Sequence, residues 1–267
     1  MGLKNENYYS VEANKEYISY SQLTDFLGTY AHEGCEARAL AKVKGEFENE
    51  ETDALLIGGY IDSYFEGSLD TFKELHPNII SSRGTTAGQL KAQYKHANVM
   101  IARAERDELF MKYIAGDKQV IMTGELEGVP VKIKIDSTDG KRITDLKTTR
   151  SIYDSYYIPG FKDRTNFIEF NGYHIQAALY REIYRQNTGD TLPYYINAIS
   201  KETQPRIQVI KLPTQMLDDT LDYIKRNIVD VQDIKAGRKE PCRCGKCDYC
   251  AETEVLKKPI MLGDLTK

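Results

Sequence analysis

Asp136, Asp145 and Lys147 are of the types, and at the spacing, that could seat a divalent cation beside an ammonium group. They fall in GELEGVPVKIKIDSTDGKRITDLKTT, from Gly124 to Thr149. Val129 to Ile135 alternates apolar and charged residues, with Val129, Val131, Ile133 and Ile135 on one side and Lys132 and Lys134 on the other. That period of two predicts a strand half-buried on one face. Ser137-Thr138-Asp139-Gly140 carries turn chemistry, with Gly140 free to take a positive φ. Arg142 to Lys147 is predicted to return as a second strand. Asp136 then closes the first strand, and Asp145 and Lys147 share a face of the next, because residues two apart point the same way. Two carboxylates on paired strands can share a hard cation through oxygen ligands. A lysine on the same face can orient or deprotonate a water, or neutralise an oxyanion. Together they suit attack on a phosphodiester, where charge builds on phosphoryl oxygens. A lone Asp at a turn or a lone Lys on a strand is most often solvated surface. Asp-x8-Asp-x-Lys on a hairpin, followed by Thr148-Thr149, is far more selective.

The segments KIKID and ITDLKTT resemble the core of the PD-(D/E)xK nucleases, and more narrowly the RecB-like branch and the RecE-like phage-type exonucleases. The resemblance implies an α/β fold: a central mixed β-sheet flanked by helices, the restriction-endonuclease-like core, with a Cys-rich C-terminal segment. It implies that Asp136 and Asp145 bind Mg or Mn, that Lys147 serves the attacking water, and that Glu125 is an upstream acid of the same metal shell. A Gln-x3-Tyr pair of the family falls on Gln176 and Tyr180 in YHIQAALY, as substrate-binding residues. The branch usually places a metal-binding His after a glycine on the helix before the core. Here Gly58-Gly59-Tyr60-Ile61 leads to Asp62. An aspartate can bind Mg or Mn as imidazole can, so Asp62 is expected among the metal ligands. The likeness runs from about Ser19 to Cys250. It implies DNA as substrate, a ring-shaped homo-oligomer and a single-strand annealing protein as partner.

Four of five cysteines cluster in PCRCGKCDYC, as Cys242, Cys244, Cys247 and Cys250; the fifth is Cys35. In a reducing compartment such crowding speaks for metal rather than disulfides, and thiolates select zinc or iron–sulfur clusters. The four C-terminal cysteines could bind zinc alone, although Cys-x-Cys-x2-Cys-x2-Cys is cramped for a tetrahedron. Alternatively Cys35 joins Cys244, Cys247 and Cys250, with Cys242 spare. The second set resembles AddB-like and CRISPR-adaptation nucleases, which implies a [4Fe–4S] cluster stapling the chain ends. The even spacing of the last three cysteines departs from that pattern and keeps zinc open.

The remaining elements must hold these groups in place. Residues 1–18 read as an extended N-terminal arm, 19–235 as the nuclease-like domain with a helical first part, and 236–267 as the Cys-rich clip. Ser19 or Ser21 is predicted to cap a helix carrying Leu23, Phe26 and Leu27, and EARALAKVKGEF reads as another. A helix over about 52–66 would turn Leu55, Leu56, Tyr60, Tyr64 and Phe65 inward. Its Gly58-Gly59 pair weakens it, which suggests close approach of a backbone or of DNA phosphate. A long helix is predicted over 87–115, with Lys91, Lys95, Arg103 and Arg106 as a candidate basic wall. The sheet is expected to start near Lys118, and the aromatic stretch 150–171 reads as a binding loop. A helix over 173–186, strands over 192–200 and 207–212, and an amphipathic helix over 214–231 complete the pattern.

The chain has 267 residues, 41% hydrophobic and 28% charged, enough for a sizeable core. A formal net charge of −4 argues against general coating of DNA and leaves a local basic groove open. Nineteen tyrosines could supply some stacking surface, though most are expected to pack. No apolar run approaches the ~20 residues of a membrane span, and the polar start lacks a signal pattern, so the expected location is cytoplasmic. The combined reading is a Mg- or Mn-dependent DNA exonuclease of phage or prophage recombination type. Its alternatives are an endonuclease or single-strand repair nuclease of the same fold, and a catalytically inactive DNA-binding subunit.

Overall fold

β-branched residues at alternate positions build the sheet, seen in a computed structural model that describes residues 2–158, 160–256 and 258–263. β1 (Asp117–Leu126) and β2 (Val129–Thr138) form an antiparallel pair, and β3 (Ile143–Thr149) follows a turn in which Gly140 takes φ +73°. β3 meets β2 at only two residue pairs, Ser137 with Thr144 and Thr138 with Ile143. Its full length pairs instead, in parallel, with a later strand. A small hairpin, β4 (Tyr156–Ile158) and β5 (Asp163–Thr165), stands apart within the aromatic stretch. β6 (Tyr194–Ser200) is the parallel partner of β3, and β7 (Ile207–Lys211) runs antiparallel to β6. Among the described residues the main sheet has the order β1-β2-β3-β6-β7. The fold is therefore α/β with a central mixed sheet flanked by helices, as the sequence implies.

Both sheet faces are covered. The helices in chain order are α1 (Val11–Glu16), α2 (Tyr20–Leu27), α3 (Glu36–Lys44), α4 (Asp53–Glu66), α5 (Leu69–Leu75), α6 (Lys95–Glu105), α7 (Glu108–Ile114), α8 (Phe167–Phe170), α9 (Tyr173–Thr188), α10 (Thr214–Lys235) and α11 (Asp248–Glu252). On one face Leu23 and Phe26 of α2, Val43 of α3 and the apolar stripes of α9 and α10 pack on Val131, Ile133 and Ile196. On the other, Ile61 of α4, Met100 of α6 and Phe110 of α7 pack on Leu146 and Ile199. No helix among the described residues is long and apolar enough to cross a membrane.

Several expectations need correction. The N-terminal residues do not form an extended arm. Ser10 caps α1, and Ile18 is fully buried, bridging to Val131 in parallel. Two lysines pin the segment. Lys132 Nζ donates to the Tyr8 carbonyl and to Asn14 Oδ1, and Lys235 Nζ donates to the carbonyls of Asn14 (2.9 Å) and Tyr17 (2.7 Å) and to Gln22 Oε1 (2.9 Å). Lys132 is consequently buried, and β2 is covered on both faces rather than one. Burial without a carboxylate partner lowers Lys132 to about 8 and Lys235 to about 7. Of the predicted arm, Met1 lies outside the described residues, as do 257 and 264–267 of the C-terminal segment.

The long helix expected over 87–115 is broken. Ile80 and Leu90 form a bridge between irregular turns, and α6 and α7 are separated where Asp107 Oδ1 accepts the Phe110 N–H (2.9 Å) and caps α7. On α4, Leu55 and Tyr64 face solvent, while Leu56, Tyr60 and Ile61 are inward. The aromatic stretch is partly ordered by the β4–β5 hairpin and α8 rather than a plain loop.

The two faces of α4 can be measured. Ile61→Ala is expected to cost about 2–5 kcal/mol in urea unfolding, as a cavity in the core. Leu55→Ala, at an exposed position, is expected to stay within about 0.5 kcal/mol.

Candidate active site

The short β2–β3 ladder opens a gap at the end of β2, and Asp136 fills it. Its Oδ2 accepts the Leu146 N–H at 3.1 Å, a backbone donor that no β2 carbonyl reaches. One residue to either side of Leu146, Asp145 and Lys147 stand on the opposite pleat from it. Asp145 is buried, with only 2% of its side chain exposed. Its Oδ2 pairs with Lys147 Nζ at 2.7 Å, and its Oδ1 accepts from Gln176 Nε2 of α9 at 2.8 Å. Opposite Asp136 the β1–β2 ladder is interrupted at Gln119, a non-glycine residue with φ +54°. Such backbone costs of order 1–3 kcal/mol and persists only where the surroundings enforce it. Here Gln119 Nε2 donates to Glu66 Oε1 at the end of α4.

α4 brings two acids to this point. Gly58 lies against Thr148 of β3, and Gly59 against the Phe72 ring, where an added Cβ would come within 2.8 Å of Phe72 Cε2. The glycine pair thus admits side chains, Thr148 and Phe72, rather than the backbone or DNA phosphate expected. One turn later Asp62 and Glu66, four residues apart and so on one helix face, meet Asp136. Asp62, Glu66, Asp136, Lys147, Gln176 and Tyr180 line one open cavity of about 780 Å³. Tyr9, Lys132 and Lys134 form part of its wall, and Lys147 stands 5.0 Å from the Tyr173 ring centre.

Crowded carboxylates raise one another. Burial and then the charge of Asp136 push Asp62 well above its usual value. Burial raises Asp145 to about 8; Lys147 opposes that rise and Asp136 adds to it. Burial alone would lower Lys147, but Asp145 and Asp136 outweigh it and hold the ammonium protonated. Burial and Asp136 also raise Glu66. The site therefore has more carboxylates than the ammonium among them can balance. The Asp62 carboxylate makes no hydrogen bond or ion pair among the described residues. Oxygen donors in surplus, one of them unpartnered, fit a hard divalent cation.

Asp62, Asp136, Asp145, Lys147, Gln176 and Tyr180 are thus brought together. Glu125 is not. It is exposed, near the far end of β1, six residues beyond Gln119 and so roughly 20 Å along the strand. Its backbone N–H donates to Gln186 Oε1 (3.0 Å). The acid that completes the cluster is Glu66, which sequence reasoning missed; its signal was the spacing of four from Asp62. Gln176 grips Asp145 rather than reaching into open space, and Tyr180 is largely buried along the cavity wall. The basic wall expected from Lys91, Lys95, Arg103 and Arg106 does not line this cavity, whose lysines include Lys42, Lys132, Lys134 and Lys147. The thiols of Cys35, Cys244, Cys247 and Cys250 converge elsewhere, within 4.8 Å of one another, and Cys242 is exposed and outside the group.

A family model described as "PDDEXK-like domain of unknown function (DUF3799)" matches residues 19–253. A crystal structure from Eubacterium rectale, described as a "Putative exonuclease", is similar over 100% of this chain and 98% of its own, with 48% sequence identity and a TM-score of 0.94. A second solved structure, described as SSO0001, covers 85% of this chain and 96% of its own at 13% identity, with a TM-score of 0.31. Among curated proteins, none matches.

The raised carboxyl of Asp145 has a sign that can be checked. A group that binds its proton more tightly when folded adds stability below its unfolded value, near 3.8, and loses it as pH rises through about 8. In chelator, the melting temperature is expected to fall over that window more steeply in the wild type than in Asp145→Asn. Equal slopes would show that Asp145 is ionised throughout.

Proposed function

This chain belongs to the family of PDDEXK-like domains, and on that premise we propose that it is a Mg- or Mn-dependent deoxyribonuclease that digests DNA from ends, of phage or prophage recombination type. The observation that carries the reading is the convergence of Asp62, Glu66, Asp136 and Lys147 on one cavity, with Asp145 fixed behind Lys147. The E. rectale relative, described as a "Putative exonuclease", supports the choice of DNA ends over internal sites.

In this reading Asp62, Asp136 and Asp145 hold the cation, with Glu66 at its edge in the place expected for Glu125. A bound divalent cation supplies positive charge where negative charge develops on the phosphoryl group. Lys147 stays protonated under the field of Asp145 and Asp136. Its Nζ therefore serves as a cationic donor that orients the attacking water or neutralises phosphoryl charge, rather than as a base. Gln176 is a positioning residue: its Nε2 fixes Asp145 Oδ1 and so leaves Oδ2 for Lys147. Tyr180, on the same wall, borders the substrate. Residues 19–235 form the nuclease domain and 236–267 its clip, and the pinned N-terminal segment closes one side of the cavity.

The test is end-labelled linear duplex beside covalently closed plasmid, each with Mg or Mn. Linear duplex is expected to be degraded and the closed circle spared. Asp136→Asn, Asp145→Asn and Lys147→Ala are each expected to lose about a hundredfold or more in rate with circular dichroism unchanged, whereas Glu125→Gln keeps full rate. Unchanged rates in the first three would reject the site. Cutting of the closed circle would make the protein an endonuclease, and digestion of single strands alone would make it a single-strand nuclease.

A further inference from the structure

Four thiols from opposite ends of the sequence meet against α3. Cys35 precedes that helix, Cys244 and Cys247 flank a tight loop, and Cys250 sits on α11. Cys35 and Cys250 are buried, with their sulfurs 3.7 Å apart; Cys244 and Cys250 are 3.9 Å apart; all four sulfurs lie within 4.8 Å of one another. The two groups that four thiolates commonly hold differ in size. A tetrahedral ion with Zn–S bonds near 2.3 Å places its sulfurs about 3.8 Å apart. A four-iron cube binds each thiolate at a separate corner and holds them roughly 6 Å apart. The spans here match the first and are too short for the second, so the [4Fe–4S] cluster implied by the resemblance does not fit.

We propose that Cys35, Cys244, Cys247 and Cys250 bind a single zinc ion tetrahedrally, with Cys242 outside the set. Binding joins one Zn²⁺ to four sulfurs and releases the thiol protons to solvent, with no change of oxidation state. The backbone prepares the loop for this. Gly245 takes φ +74°, and the N–H groups of Lys246 and Cys247 point at the Cys244 sulfur. The Cys250 N–H points at the Cys247 sulfur in the same way. Donors aimed at a thiolate stabilise its charge and set its direction. Arg243 locks the loop to the following turn, donating from Nη2 to the Cys250 carbonyl (3.2 Å) and the Thr253 hydroxyl (2.6 Å). Cys242 uses only its backbone here. Its N–H donates to Glu36 Oε2 (2.7 Å) and its carbonyl accepts from the Ala37 N–H (3.0 Å), while its side chain is exposed.

The full chain, purified both in air and anaerobically, is analysed for metals by mass spectrometry and for visible absorption. One zinc per chain in a colourless protein is expected from both preparations, and Cys242→Ser is expected to keep it. Cys247→Ser and Cys250→Ser are expected to lose the zinc and melt at lower temperature; should either fail to fold, the wild-type metal content still decides. Iron in a brown protein, four metal-free thiols, a disulfide among the four, or loss of zinc in Cys242→Ser would each overturn the assignment.

Discussion

The site depends on one substitution in the sheet: a carboxylate takes the place of a strand. β2 and β3 part after two residue pairs, and the Leu146 N–H that would have met a β2 carbonyl is met by Asp136 Oδ2 instead. A buried donor left unmet costs about 1–3 kcal/mol, and a charged acceptor meets it more strongly than a neutral one. The parting is held open from the far side, where β3 pairs with β6 along its whole length. The sheet can therefore lose one ladder locally without losing β3. The gap is what lets α4 bring Asp62 and Glu66 within reach of Asp136.

Electrostatics then sets the character of the cavity. Burying several carboxylates around one ammonium is unfavourable, and the acids respond by holding protons more tightly. The same excess is the charge that the proposed divalent cation would balance in place of those protons. Lys147 is stabilised by its neighbours in the charged form, so its contribution is a fixed positive donor and not a variable one. Gln176 matters for the same reason. By occupying one oxygen of Asp145 it decides which oxygen the lysine meets.

Much of this was legible from local pattern. Alternation along β2 and the offset of two between Asp145 and Lys147 needed only strand geometry, and the mixed sheet followed from the resemblance those residues carry. What was not legible depends on distant parts of the chain meeting. Lys132 reads as a solvated lysine until the N-terminal segment lays Tyr8 and Asn14 over it. Glu125 is placed at the site by the upstream acid of the resembled family, yet the six residues of extended strand between it and Gln119, opposite Asp136, put it at a long distance. Glu66, seventy residues before Asp136, is nearer because a helix end delivers it. Leu55 reads as inward from its apolarity, and the helix faces put it in water.

The thiol cluster has a consequence for when the molecule can be completed during its own synthesis. Cys35 and Cys250 are 215 residues apart in sequence. At ribosomal speeds of about 5–20 residues per second, the second follows the first by roughly 10–40 seconds. Throughout that interval α3 has emerged without the segment that packs on it. The early helical layer must wait for a segment made some 215 residues later, so the knot at Cys35 cannot close until well after α3 has emerged.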